Sequence, residues 1–186
     1  MTDITANTSA SSMARPTVYP RRKRKLRGST VANYKFLGQM PNAGNYPGNV
    51  MPLLLGQFHD DPTSKYLLIE GSANWCYYCN QEAPEIEQLA VDHAGDGYHS
   101  MTILAEGHTR GVPATADDST DWASSHELHS TIVGIDPAAI LFQYASASAF
   151  PLHILLDTRT MAIQWLCVGG IGECDATGAV NDALGQ

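Results

Sequence analysis

The chain has 186 residues, 44% of them hydrophobic, and a formal charge of −8, which suits one globular domain with an extension. The charge is unevenly spread: residues 1–35 hold eight of the eleven Lys and Arg against Asp3 alone, whereas the remainder sets Lys65, Arg110 and Arg159 against eighteen acids. So acidic a body argues against nucleic-acid binding, which needs clustered cations, and no apolar run is long enough to cross a bilayer.

Residues 1–30 are small and polar, then basic at Arg21-Arg22-Lys23-Arg24-Lys25 and Arg27, without apolar periodicity, and read as a disordered, solvated tail. A nuclear-localisation, nucleic-acid or anionic-lipid patch is the less favoured reading of the same run. No apolar segment follows the paired arginines, so neither a Sec nor a twin-arginine signal is complete, and a complete chain is expected in the cytoplasm. Residues 31–65 are rich in Gly, Pro and Asn, with short apolar pieces at Tyr34–Leu37 and Val50–Leu55, and read as an extension that forms an edge hairpin. The main domain is expected over 66–186.

Tyr66, Leu67, Leu68 and Ile69 form an apolar run bounded by Asp60-Asp61-Pro62-Thr63, the pattern of a buried strand. From Tyr77 the period changes: Ala83, Ile86, Leu89, Ala90 and Ala94 fall at helical spacing, with Gly95 as a stop. His99–Glu106 reads as the next strand and Gly107–Asp118 as a loop. Ser119 or Thr120 is expected to cap a helix through Trp122 and Leu128, followed by a strand over Thr131–Ile135. Asp136 with Pro137 reads as an N-cap and first helical residue, predicting a short helix to about Tyr144. Pro151 cannot donate to a sheet ladder and marks a strand start, with Leu152–Leu156 continuing and Ala162–Val168 pairing back across a tight turn. Asp175–Leu184 closes the chain as a helix, weakened by Gly178.

The chemistry concentrates at Cys76 and Cys79. Cys76 falls near a helix N-terminus, where backbone N–H groups and the helix dipole favour a thiolate, the form that attacks a disulfide. Cys79, one turn on, is placed to attack the resulting mixed disulfide. Half of a zinc site is the competing reading, but a second C-x-x-C to complete it is absent from the sequence.

Trp75-Cys76-Tyr77-Tyr78-Cys79 with Pro84 resembles the W-C-x-x-C-x-x-x-x-P of the thioredoxin superfamily. Glu70, six residues before Cys76, matches the buried acid of thioredoxins, and Ala73 matches as well. Phe150-Pro151-Leu152-His153-Ile154-Leu155-Leu156-Asp157 is similar to the segment that carries the family's cis-proline. Asp136-Pro137, Tyr144 and the turn Asp157-Thr158-Arg159-Thr160 resemble the TlpA/ResA-like branch, redoxin-type thiol-disulfide oxidoreductases of bacterial cell envelopes. The similarity spans roughly residues 50–180, most of the chain.

The resemblance implies an α/β, thioredoxin-like fold: a central mixed β-sheet flanked by helices, here with an N-terminal extension. It implies a thiol-disulfide oxidoreductase in which Cys76 attacks, Cys79 resolves and Glu70, if buried, moves a proton. Trp75 would shield the sulfurs, and Phe150-Pro151 would dock the substrate strand through a cis bond. The implied partners are a disulfide-containing protein and a redox partner that recycles the dithiol, with a monomer expected. No organic cofactor is implied, since the cysteines carry the electrons. Envelope location is the family habit, against the cytoplasmic expectation above. Tyr77 and Tyr78 stand where thioredoxin has Gly-Pro, so the family's redox poise does not carry over.

Cys167 and Cys174 have three open readings: a structural disulfide, a relay for the first pair, or buried thiols. His126 and His129 have i,i+3 spacing suited to one metal, a coincidence in a chain with seven histidines. The alternative function is a copper-binding or delivery module using Cys76, Cys79 and a histidine, His153 above all. No P-loop and no G-x-G-x-x-G supports nucleotide binding, and none of the cysteines sits in a peroxiredoxin-type Thr/Ser-Pro-x-Cys site.

Overall fold

A computed structural model describes residues 27–41, 49–145 and 149–186. The elements in chain order are β1 (Lys35–Gln39), β2 (Met51–Leu54), α1 (Gly56–Asp60), β3 (Tyr66–Ala73), α2 (Tyr77–Asp92), β4 (Tyr98–Glu106), α3 (Ala116–Ser125), β5 (Ile132–Ile135), a 3₁₀ turn (Ile140–Tyr144), β6 (Leu152–Asp157), β7 (Ala162–Val168) and α4 (Ala176–Leu184). The strands form one mixed sheet in the order β2-β1-β5-β4-β3-β6-β7. β3, β4 and β5 run parallel, while β6 lies antiparallel to β3 and β7 to β6. This is the thioredoxin-like arrangement, with β1 and β2 added beyond β5.

Burial explains the order. β3 and β4 are buried along nearly their whole length and on both faces, as central parallel strands are. β2 carries Pro52 opposite Leu37 and lies at the sheet margin, where a missing N–H costs no ladder bond. One apolar cluster joins Phe36, Leu53, Phe58, Ile69, Ile103 and Phe142; on the face under α2 and α4 a second joins Leu68, Ile86, Leu89, Leu155 and Val180.

One row of the ladder bears on everything that follows. Glu70 of β3 pairs with Thr102 of β4 on one side and His153 of β6 on the other, and His153 pairs with Cys167 of β7. Cross-strand partners project to the same face, so four chemistry-bearing side chains share one line across the sheet.

Local boundaries differ from the sequence reading for identifiable reasons. The disordered tail expected over 1–30 lies outside the described residues as far as 26. From Arg27 the chain already runs beside β7, with Gly28 N–H donating to Ile163 O at 2.7 Å and Val31 N–H to Met161 O at 2.8 Å. The sequence does not announce α1, which is five residues long, buries Phe58 and is tied by Gly56 N–H donating to Asn33 Oδ1 at 2.7 Å. α3 is capped by Thr115, not by Ser119 or Thr120: its hydroxyl accepts from Asp118 N–H while the Asp118 carboxylate accepts from Thr115 N–H at 2.7 Å, a reciprocal capping box. The helix predicted after Asp136 is a 3₁₀ turn that starts at Ile140, because Ala139 turns to φ +49° and Asp136 instead accepts from Leu141 N–H at 3.0 Å.

Candidate active site

β3 ends at Ala73 and the chain turns through Asn74 and Trp75 into α2, which places Cys76 at the N-cap. Cys76 and Cys79 are joined as a disulfide, with Cα atoms 5.3 Å apart. The Cys76 sulfur also accepts from the Cys79 N–H at 3.2 Å, so it occupies the place a serine or aspartate oxygen takes in an ordinary cap. Cys76 is 3% exposed and Cys79 fully buried, so Cys76 is the more accessible of the two. The turn is held from inside: Asn80 Nδ2 donates to the carbonyls of Asn74 at 3.0 Å and Cys76 at 2.6 Å, and its Oδ1 faces His126 Nε2 at 3.1 Å.

Trp75 is fixed on three sides. Its indole N–H donates to Glu106 Oε2 at 2.7 Å, the Arg110 guanidinium lies 4.3 Å from the ring centre, and Phe150 meets it edge to face at 5.6 Å. Glu106 Oε2 also accepts from Gly111 N–H at 2.7 Å, which ties the loop bearing Arg110 to the indole. Phe150 precedes Pro151 through a cis peptide bond and packs against the cluster containing both cysteines. Tyr77 and Tyr78 are 69% and 54% exposed, and with Val112 and Ile171 they leave an apolar surface among the large side chains of this end.

Glu70 is fully buried. Thr102 Oγ1 donates to its Oε2 at 3.1 Å, while Oε1 has no hydrogen-bond partner among the described residues. Burial lifts the carboxyl from 4.5 to about 7, with nearby Glu82 adding to the rise and His153 and the Thr102 hydroxyl opposing it.

Two acids went unnoticed in the sequence. Glu82 lies on the buried stripe of α2 with Cys79, Ala83 and Ile86, an acid at a core position of a helix, and that is the signal that marks it. Its Oε2 sits 3.1 Å from His153 Nε2, too poorly aligned for a hydrogen bond. Glu106 is the other; nothing in its spacing announces its clamp on Trp75.

The remaining candidates fall elsewhere. His153 lies with Glu70 and Glu82, and among the described residues this trio is the one group of three His, Cys, Asp or Glu ligand atoms close enough to share an ion, so neither cysteine joins it. The His126 ring packs at a tilt on Trp122 at 4.4 Å with its Nε2 3.1 Å from Asn80 Oδ1, and among the described residues neither it nor His129 belongs to a group of three ligand atoms. Cys167 and Cys174 form a second disulfide, with Cα atoms 5.8 Å apart. Beside it, a cleft of about 340 Å³ is walled by Ile171–Ala176 and leads inward to Glu82 and His153.

No family model and no curated protein matches this chain. Solved structures do. A thiol:disulfide interchange protein of the thioredoxin family from Chlorobium tepidum superposes with a TM-score of 0.62 at 14% identity, over 86% of this chain and 99% of its own. An exposed lipoprotein thioredoxin (Etrx1) of Streptococcus pneumoniae gives 0.61 at 19%, covering 83% and 98%. A secreted Mycobacterium tuberculosis disulfide oxidoreductase homologous to DsbE gives 0.55 at 14%, covering 81% and 94%. At these identities the likeness establishes the fold, and the chemistry has to be argued from the site.

Proposed function

We propose that the protein is a thiol-disulfide oxidoreductase that exchanges disulfides with protein substrates through Cys76 and Cys79. The observation that carries this is the Cys76–Cys79 disulfide at the N-terminus of a 16-residue helix, beneath an aromatic cover. The names of the structural neighbours, thiol:disulfide interchange proteins among them, support the reading.

In the reducing direction, the Cys76 thiolate attacks one sulfur of a substrate disulfide; the substrate S–S bond breaks, a Cys76–substrate bond forms, and the leaving thiolate takes a proton from solvent. The helix N-terminus stabilises the attacking anion. Cys79 then gives its proton to the Glu70 carboxylate and attacks Cys76, forming the bond seen here and expelling the second substrate thiolate, which is protonated in turn. Two electrons pass to the substrate, and an external dithiol partner restores the reduced pair. Exposed Tyr77, Tyr78, Val112 and Ile171, together with Trp75 and Phe150-Pro151, form the surface on which an unfolded or extended polypeptide docks.

Equilibration in defined thiol/disulfide buffers, with Trp75 fluorescence and thiol trapping as readouts, tests the reading. A reversible two-electron couple at Cys76–Cys79 is expected. A potential near about −270 mV assigns a reductant and one near about −120 mV an oxidant. A reduced protein that holds stoichiometric copper and exchanges no disulfide overturns the proposal.

A further inference from the structure

Glu70, Glu82 and His153 come from three elements, β3, α2 and β6, and converge in the interior under α2. They are 0%, 5% and 1% exposed, and among the described residues no Lys or Arg is paired with them. Glu70 Oε1, Glu82 Oε2 and both ring nitrogens of His153 lack hydrogen-bond partners among the described residues. Buried polar atoms are nearly always satisfied, and three ionisable groups left open toward one another call for a common partner.

We propose that this trio is a binding site for a single divalent first-row transition ion, of which Zn²⁺ is the probe of choice. Two carboxylates and a neutral imidazole are a donor set zinc accepts, and their charge balances the ion. Tetrahedral bonds of about 2.0–2.2 Å put neighbouring donors roughly 3.3–3.6 Å apart. His153 Nε2 and Glu82 Oε2 already stand 3.1 Å apart, and all three ligand atoms lie within 4.8 Å of one another, so small side-chain rotations close the set. Thr102, donating to the other oxygen of Glu70, is the kind of outer partner that holds a ligand in place. The cleft walled by Ile171–Ala176 is the way in, and the fourth position is left to water. If the exchange reading above holds, an occupied site also engages the carboxylate to which Cys79 gives its proton, so the ion slows turnover.

The test uses the full chain, stripped with chelator and kept with both disulfides closed so that no thiolate competes, titrated with Zn²⁺ by calorimetry and with Co²⁺ by visible absorption. One ion per chain is expected, with the intense bands of four-coordinate Co²⁺. Glu82→Gln and His153→Gln should each weaken binding at least about tenfold, while Glu85→Gln, at the rim of the same cleft, leaves it unchanged. Circular dichroism and disulfide mapping check that the variants fold; if His153→Gln does not, Glu82→Gln and the wild-type Co²⁺ spectrum decide. Absence of one-to-one binding, an octahedral Co²⁺ spectrum, or undiminished binding in Glu82→Gln overturns the site. None of these readouts depends on disulfide exchange, so the metal site and the exchange activity fail separately.

Discussion

The two disulfides make a controlled comparison: the same bond in one domain, in opposite surroundings. Cys76–Cys79 closes three residues at the head of a 16-residue helix, with one sulfur accepting a backbone N–H and the other buried against the core. Cys167–Cys174 closes seven, tying edge strand β7 to the approach of α4, and both cysteines are only partly buried. The head of α4 is already taken, since Asp175 Oδ1 accepts from Gly178 N–H at 2.7 Å. A thiolate at Cys174 would meet the carboxylates of Glu173 and Asp175 in place of free helix amides. A sulfur becomes a nucleophile through what surrounds it, and only the first pair has those surroundings. On the proposed reading the second pair serves as a staple for the loop packed against the first: a Cβ on Gly170, in that loop, would lie 2.7 Å from the Cβ of Tyr78.

The largest effect expected is from Cys76→Ser, which should lower disulfide exchange by on the order of 10³ or more, as loss of a nucleophile does. The paired Cys167→Ala/Cys174→Ala variant should keep exchange within about twofold, read in the same assay with a dithiol reductant and a protein disulfide. If the second pair acts as a relay, that variant loses exchange as well and the comparison breaks.

Glu70 sharpens the contrast next, because the proposed exchange at the first pair uses its fully buried carboxyl as a proton acceptor, a role the second pair is not proposed to need. Glu70→Gln should slow exchange by about 10², the lower range for a lost proton acceptor, and should remove a rise in rate centred near pH 7. The same carboxyl has an opposite effect on stability. Its pKa is raised on folding, so the folded state binds the proton more tightly; its contribution to stability is largest below about pH 4.5 and is lost as pH rises through about 7. The drop is about 3 kcal/mol. Denaturant titrations of chelator-treated protein between pH 4 and 8 should show this slope in the wild type and its loss in Glu70→Gln.

Much of this was legible in the sequence, and the part that was not has a common cause. The strand before Cys76, the helix after it and the antiparallel pair from Pro151 announce themselves by apolar period and turn residues, which are local signals. Cys76 and Cys79 lie on that local skeleton, so their placement could be read as well, whereas Glu70 is marked by the family resemblance alone. Glu82, His153 and Glu106 owe their roles to partners far away in sequence: His153 meets Glu70 through strand register, and Glu106 meets Trp75 across 31 residues. The α3 cap was misplaced because several Ser, Thr and Asp residues compete as caps from Thr115 to Thr120, and only the reciprocal bond between Thr115 and Asp118 selects one. The turn after Asp136 reads as a helix because Asp-Pro is a helix start by composition, whereas the left-handed Ala139, buried in the apolar cluster, leaves no local mark in the sequence.

Removing the second disulfide should cost stability although it spares exchange. A loop of this length constrains the unfolded chain by about 2–3 kcal/mol, and denaturation of the Cys167→Ala/Cys174→Ala variant should show a loss of that size. Reduction of the wild type under conditions that open both bonds should lower stability by more, about 4 kcal/mol, because Cys76→Ser/Cys79→Ser alone should cost less than the second pair, its ring being shorter.

The smallest effect concerns the helix head that distinguishes the second pair. Asp175→Ala removes the acceptor of the Gly178 N–H and should lower stability by about 1 kcal/mol. It also vacates the α4 N-terminus beside Cys174 and takes away one of the two neighbouring carboxylates. If the surroundings decide which sulfur reacts, the Cys167–Cys174 pair of this variant should be attacked faster by an added dithiol, while exchange at Cys76–Cys79 is unaltered. Thiol trapping resolved by peptide mass reads the two pairs separately. An unchanged rate at Cys174 would mean that limited access, and not the charge around it, keeps the second disulfide inert.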